Sequence, residues 1–126
     1  MKKIANLVFD KEEEKITELF TELGMPRNLS KTLMYISQVD ECRSADVEKG
    51  ADLRQPEVSI AIQELLKKGW ITKRELKKKG KGRPVHIYKN SMQLSEIMTN
   101  FEQDKIKELE NVKKDLSELK TLISNI

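Results

Sequence analysis

Residues 45–91 read ADVEKGADLRQPEVSIAIQELLKKGWITKRELKKKGKGRPVHIYKNS, and the hydrophobic period changes once within them. Up to Leu66 the period is helical. Ser44 can cap a short helix over 45–51, with Asp46 in its first turn, and Gly50 with the polar ADLRQ stretch marks a tight connection. Pro56 suits the first position of the next helix, where its missing N–H would have had no partner. That helix is predicted over 56–68, with Val58, Ala61, Ile62, Leu65 and Leu66 inward, and Gly69 ends it. From Trp70 the pattern is extended. A strand runs to about Leu76, the tip is KKKGKGRP, and on the return strand Val85 and Ile87 alternate with His86 and Tyr88. The stretch predicts helix, turn, helix and a two-stranded hairpin.

The same stretch concentrates positive charge. Residues 54–90 carry 11 Lys/Arg against 3 acids, a net of +8, while the whole chain is only +3 and the remaining residues therefore sum to −5. Ordinary solvated surfaces mix the two signs. Here they are segregated, which is the electrostatic footprint of a surface that meets phosphate.

Together these motifs resemble the helix-turn-helix and wing of prokaryotic winged-helix transcriptional regulators of the broad MarR, ArsR and TrmB-like group, small archaeal members in particular. The marks are Val58-Ser59 early in the helix, Leu65 followed by Lys68-Gly69-Trp70-Ile71, and Gly82-Arg83-Pro84 in the hairpin, and the similarity covers about residues 27–90. It implies a mainly α (α+β) fold, a winged helix-turn-helix domain over 1–90 with its core in 27–90, and binding of double-stranded DNA. In one respect the chain departs from the group: the position after Ser59, often basic there, is Ile60.

On that reading the helix 56–68 enters the major groove, where residues near its N-terminus reach base edges. Its outward residues are Gln55, Glu57, Ser59, Ile60, Gln63 and Lys67, preceded by Arg54. Gln55 or Gln63 suits an adenine, Ser59 a base or phosphate, and Ile60 a thymine methyl. Glu57 would repel phosphate, so it must accept from a cytosine amine or lie off the backbone. In the wing 77–84, Lys77, Lys78, Lys79 and Lys81 are expected to meet phosphates, and Arg83, held by Pro84, to probe a minor groove. Trp70 and Tyr88 are expected to pack in the core rather than to stack on bases.

Outside this stretch the chain is helical. Residues 11–23 place Ile16, Leu19, Phe20 and Leu23 at 3-4 spacing, predicting an amphipathic helix with that stripe inward, ended by Gly24 and Pro26. Ser30 reads as the N-cap of a second helix over 31–39. Ser91 reads as the cap of a last helix reaching close to Ile126. Leu109, Val112, Leu116, Leu119, Ile123 and Ile126 follow a strict 3-4 alternation, a coiled-coil-like seam for dimerisation within residues 91–126. With Leu109 at a, Glu108 and Asp115 fall at g and Lys113 and Lys120 at e, which favours parallel pairing. Fewer than three clean heptads make a marginal coiled coil, so the N-terminal helix, with Ile4, Leu7 and Phe9, is expected to contribute.

Other functions find little support. Hydrophobic residues make up 37% and charged residues 36%, a lean composition that suits a small body with a long solvated helix. No run of about 18 apolar residues is present to cross a membrane, and the start, MKKIANLVFDKEEEK, lacks the features of a signal peptide. One cysteine, Cys42, fits a reducing cytoplasm. One histidine and one cysteine cannot assemble a usual zinc site or a nucleophilic triad. The glycines of GKG do not open a helix as a phosphate loop requires. No enzyme, cofactor or metal is expected. The expected function is a homodimeric, sequence-specific DNA-binding regulator in the cytoplasm, on a roughly palindromic operator. The alternatives are a protein-interaction module and a nonspecific architectural DNA binder.

Overall fold

The computed structural model describes residues 9–76, 82 and 84–126. Helices α1 (Lys11–Glu22), α2 (Arg27–Gln38), α3 (Ser44–Gly50) and α4 (Gln55–Lys67) are followed by strands β1 (Ile71–Leu76) and β2 (Val85–Asn90) and by helix α5 (Leu94–Ser124). The strands pair antiparallel with Ile71 opposite Asn90 and Leu76 opposite Val85. This is a mainly helical winged helix-turn-helix architecture. Two compact units are formed, Met1–Gln93 and Leu94–Ile126.

In the first unit, α2 is the central helix. From Leu29 to Ile36 every residue except Lys31 is buried, and Ile36 is fully so. Val47 of α3, Val58, Ala61, Ile62 and Leu65 of α4, and Trp70, Ile71 and Tyr88 of the wing complete the core. Each large side chain removed from water contributes about 1.5–3 kcal/mol. Trp70 and Tyr88 therefore serve packing, as expected. Helix α4 stops where Gly69 takes φ 76°, a left-handed conformation that costs glycine little. The Trp70 N–H then reaches back to the Leu65 carbonyl at 3.1 Å, which turns the chain into β1 with the indole in the core.

Four expectations are corrected. In α1 the buried residues are Glu13, Thr17 and Phe20, whereas Ile16, Leu19 and Leu23 are exposed. The reason is the chemistry of the α1–α2 seam: Ser30 Oγ lies 3.1 Å from Thr21 Oγ1 and within 3.4 Å of the Thr17 carbonyl. Small hydroxyl residues let the two helices approach closely and leave the bulky ones outside. Ser30 is consequently no cap. The second helix starts a turn earlier than predicted, after Pro26, and Ser30 is fully buried within it. Likewise Ser91 does not cap the last helix; its Oγ donates to the Gly69 carbonyl and its N–H to that of Trp70, closing the base of the wing. Helix α3 begins at Ser44 itself, with Arg43 as its cap residue and the Asp46 carboxylate accepting the Arg43 N–H at 2.9 Å.

In the second unit Ile97 and Phe101 are buried. From Ile106 on, the apolar side chains of α5 are between 48% and 58% exposed up to Ile123.

Candidate nucleic-acid interface

The helix-turn-helix is held by a close approach. Gly50, the last residue of α3, packs directly against the Tyr35 ring, and a Cβ there would stand 1.8 Å from Tyr35 Cε1. The turn that follows is tied by Ala51 N–H to the Val47 carbonyl at 2.8 Å and Leu53 N–H to the Glu48 carbonyl at 3.0 Å. Between them Asp52 adopts φ 53°, a left-handed conformation that Asp and Asn tolerate better than most residues. The chain then enters α4 at Arg54.

Glu57 is used inside the fold. Its Oε1 accepts the Arg54 N–H at 2.8 Å, satisfying a donor at the helix start, and its Oε2 accepts from Asn28 Nδ2 of α2 at 3.2 Å. The Arg54 N–H holds the carboxyl below the usual range; partial desolvation opposes this, and the Asn28 amide with the charges of Arg54 and Lys31 adds to it. Both carboxylate oxygens of Glu57 are thus engaged within the fold. The signal was present in sequence as a Glu three residues after the cap position. Nothing in the sequence marked Asn28.

The rest of the outward face of α4 is available. Arg54, Gln55, Ile60, Gln63 and Lys67 are exposed, Ile60 to 67%, and Ser59 is half-buried. Their side chains have no hydrogen bond or ion pair to another described residue. One helix face thus gathers two amides, a hydroxyl, an unpacked isoleucine and two cations. Such a face can read donors, acceptors and methyls.

The wing stands on a braced base. Cys42 N–H donates to the Tyr88 carbonyl at 3.0 Å and Tyr88 N–H returns to the Cys42 carbonyl at 2.8 Å, a one-residue third strand that sequence patterning did not reveal. Asn90 Nδ2 donates to Ser37 Oγ at 2.9 Å, tying β2 to α2. Further out, Arg74 pairs with Glu41, and His86 Nε2 lies 3.4 Å from Glu75 Oε1 across the strands. The expected phosphate contacts Lys77, Lys78, Lys79 and Lys81 and the probe Arg83 lie outside the described residues, as do Ile4 and Leu7.

Cys42 is buried, and desolvation, with Asp46 adding, pushes its thiol up to about 12. It is held as the neutral thiol, which is neither nucleophile nor ligand. Among the described residues no group of three or more His, Cys, Asp or Glu side chains could hold a metal ion, and no helix is long and apolar enough to cross a membrane. On α5, the seam residues Leu109, Val112, Leu116, Leu119 and Ile123 are 52–58% exposed. Leu122, which the heptad reading passed over, is as exposed as Ile123. Glu108 accepts a hydrogen bond from Lys105 of its own helix at 3.1 Å.

No protein-family model and no curated protein sequence matches the chain. Solved structures do. A possible transcriptional regulator from Methanosarcina mazei Go1 superposes with a TM-score of 0.62 at 16% identity, over 83% of this chain and 86% of that one. A crystal structure of a transcriptional regulator gives 0.51 at 16% identity over 64% of this chain, which spans about half (53%) of that protein's length. TrmBL2, an archaeal chromatin protein that binds DNA, gives 0.54 at 18% identity over 90% of this chain and 42% of its own. These structural neighbours, two transcriptional regulators and an archaeal chromatin protein, all share low identity with the chain. The fold is the winged helix-turn-helix of such regulators.

Proposed function

We propose that this chain is a homodimeric, sequence-specific regulator of transcription that binds double-stranded DNA. In this reading α4 lies in the major groove, with Gln55, Ser59, Ile60 and Gln63 on base edges and Arg54 and Lys67 on phosphates. The wing 77–84 follows the backbone, and Arg83 enters the minor groove. The observation that carries the reading is the face of α4: largely solvent-exposed, unpaired among the described residues, and with its early acid Glu57 held by two hydrogen bonds within the fold.

Dimerisation is assigned to α5, where a 3-4 apolar seam stands about half exposed. Leaving these five large side chains half in water costs several kcal/mol that pairing with a second copy would recover. The outward stripe Ile16, Leu19 and Leu23 of α1 offers a second apolar patch for the same purpose. Two-fold symmetry then sets half-sites about 10 bp apart, or a multiple of that. The protein would act in the cytoplasm, where its DNA lies.

Selection of bound sequences from a random duplex pool, with titration at two salt concentrations, tests the reading. A two-fold symmetric motif is the expected result. Contact with about 8 phosphates gives a log-log salt slope near −7. Lys78→Ala should weaken all sequences alike, and Gln63→Ala should relax preference at particular bases. A second reading, an architectural DNA binder, draws on the likeness to a chromatin protein over 90% of this chain; steep salt dependence with no enriched motif would favour it. No binding at either salt would refute both and direct attention to a protein partner.

A further inference from the structure

The first half of the central helix reaches solvent on one side. Within α2, Lys31 is the only residue between Leu29 and Ile36 that is not buried, and the turn before it carries exposed Arg27 and half-buried Asn28. Positions 27, 28 and 31 fall within about 100° of helical arc, so they surface on one side. That side meets the start of α4, because Asn28 Nδ2 donates to Glu57 Oε2 at 3.2 Å. Glu57 is therefore occupied from both directions, by Asn28 and by the Arg54 N–H, and the charges of Arg54 and Lys31 flank it. Arg27 and Lys31 make no ion pair among the described residues. On their other side runs a groove of about 620 Å³ whose far wall is the row Glu14, Glu18 and Glu22 of α1. Acids there repel phosphate, and the two cations form the border between that row and α4.

We propose that the first turn of α2 belongs to the DNA-contact surface, with Arg27 and Lys31 holding phosphates that flank the bases read by α4. Asn28 is a positioning residue: through Glu57 it fixes that turn in register with the recognition helix. A phosphate contact made from the central, most buried helix has little slack, so the cations anchor the domain while the tie transmits their position to α4. The acidic row confines the contact to the α4 side. This inference rests on the DNA-binding reading above and adds three residues to it.

The test uses the full chain, the duplex selected by the wild type and a random duplex of equal length, titrated over a series of salt concentrations. Loss of two phosphate contacts per protomer should make the log-log slope of a dimer shallower by about 3 to 4. Arg27→Ala/Lys31→Ala, with Arg27→Gln/Lys31→Gln as a second version that keeps side-chain bulk, should show this on both duplexes. The same charge removed from α1 in Lys11→Ala/Lys15→Ala should leave the slope near that of the wild type. Asn28→Ala should keep the slope but reduce the ratio of selected to random affinity several-fold, a change that simple loss of stability would not produce. A wild-type slope in both Arg27/Lys31 variants, or an equal change in the α1 control, overturns the inference while leaving α4 as the reader. Absence of duplex binding by the wild type itself overturns the parent reading, and this one with it.

Discussion

Gly50→Ala is an unusually sharp test of how the helix-turn-helix is held. On propensity alone the change should help, since alanine in a helix is favoured over glycine by about 0.5–1 kcal/mol. The packing argues the other way. The new methyl would lie 1.8 Å from Tyr35 Cε1, 2.3 Å from Cδ1 and 2.8 Å from Cζ, where ordinary contact is 3.4–4 Å. The ring must retreat by about 1.5 Å or more, yet Tyr35 is 2% exposed and surrounded by core. Overpacking of this kind costs about 1–3 kcal/mol, occasionally more. The clash therefore outweighs propensity, and the expected net loss is about 2 kcal/mol. For a domain of this size that lowers Tm by about 10 °C, at about 4–8 °C per kcal/mol. Urea unfolding followed by circular dichroism and by the single tryptophan, Trp70, at one fixed protein concentration gives the value. A cycle with Tyr35→Ala isolates the cause. That change alone should cost about 3–5 kcal/mol, but adding Gly50→Ala to it should cost nothing, a coupling of about 2–3 kcal/mol. A neutral or stabilising Gly50→Ala, or a cost that persists undiminished beside Tyr35→Ala, would refute the reasoning.

Other expectations follow from single contacts. Thr32 is fully buried and its Oγ1 has no hydrogen-bond partner among the described residues, so Thr32→Val should be neutral or stabilising by up to about 1 kcal/mol in the same unfolding assay. A loss above 1 kcal/mol would mean the hydroxyl has a partner. Glu57 is held below its ordinary value of 4.5, so its ties stabilise the fold above that pH and are lost as pH falls through the lower, folded value. Glu57→Gln should therefore flatten the decline of Tm on the acid side of pH 4.5, and an unchanged acid limb would exclude that role. Leu116→Lys places a charge in the α5 seam and should shift sedimentation equilibrium from dimer to monomer without unfolding the first unit; an unchanged mass would remove α5 as the dimer element.

The α4–wing segment was legible because its signals are local and chemical. Pro56 and Gly69 bracket the helix, and the change of period at Trp70 has one structural meaning. The α1 face was not legible for the opposite reason. Ile16, Leu19 and Leu23 announce an apolar stripe, but a stripe says only that something apolar belongs there. The contact made within this chain runs through Thr17, Thr21 and Ser30, whose hydroxyls carry no period of hydrophobicity. Ser30 and Ser91 misled by the same logic in reverse, since a serine before a helix is a cap only if its oxygen faces the helix start, and both oxygens were claimed by other partners. The fate of Glu57 depended half on a local pattern and half on Asn28, 29 residues away in sequence. Long-range ties of that kind leave no mark on either residue.

That asymmetry bears on how the surface works. A recognition helix with an acid in its first turn should bind DNA poorly, because a carboxylate near phosphates is repelled wherever it points into solvent. In the proposed reading the acid is tied down before any DNA arrives: one oxygen serves the helix start and the other binds a neutral donor from the central helix. An amide in that place brings no further cation to the carboxylate, and Arg54, Arg27 and Lys31 form no ion pair among the described residues, although the charges of Arg54 and Lys31 do act on Glu57. Replacing Asn28 by lysine would give Glu57 a stronger partner, yet it would tie up a cation in an internal pair. On the DNA-binding reading, the arrangement separates two tasks that charge alone would confuse: hydrogen bonds fix the helix, and most of the positive field is left to the ligand.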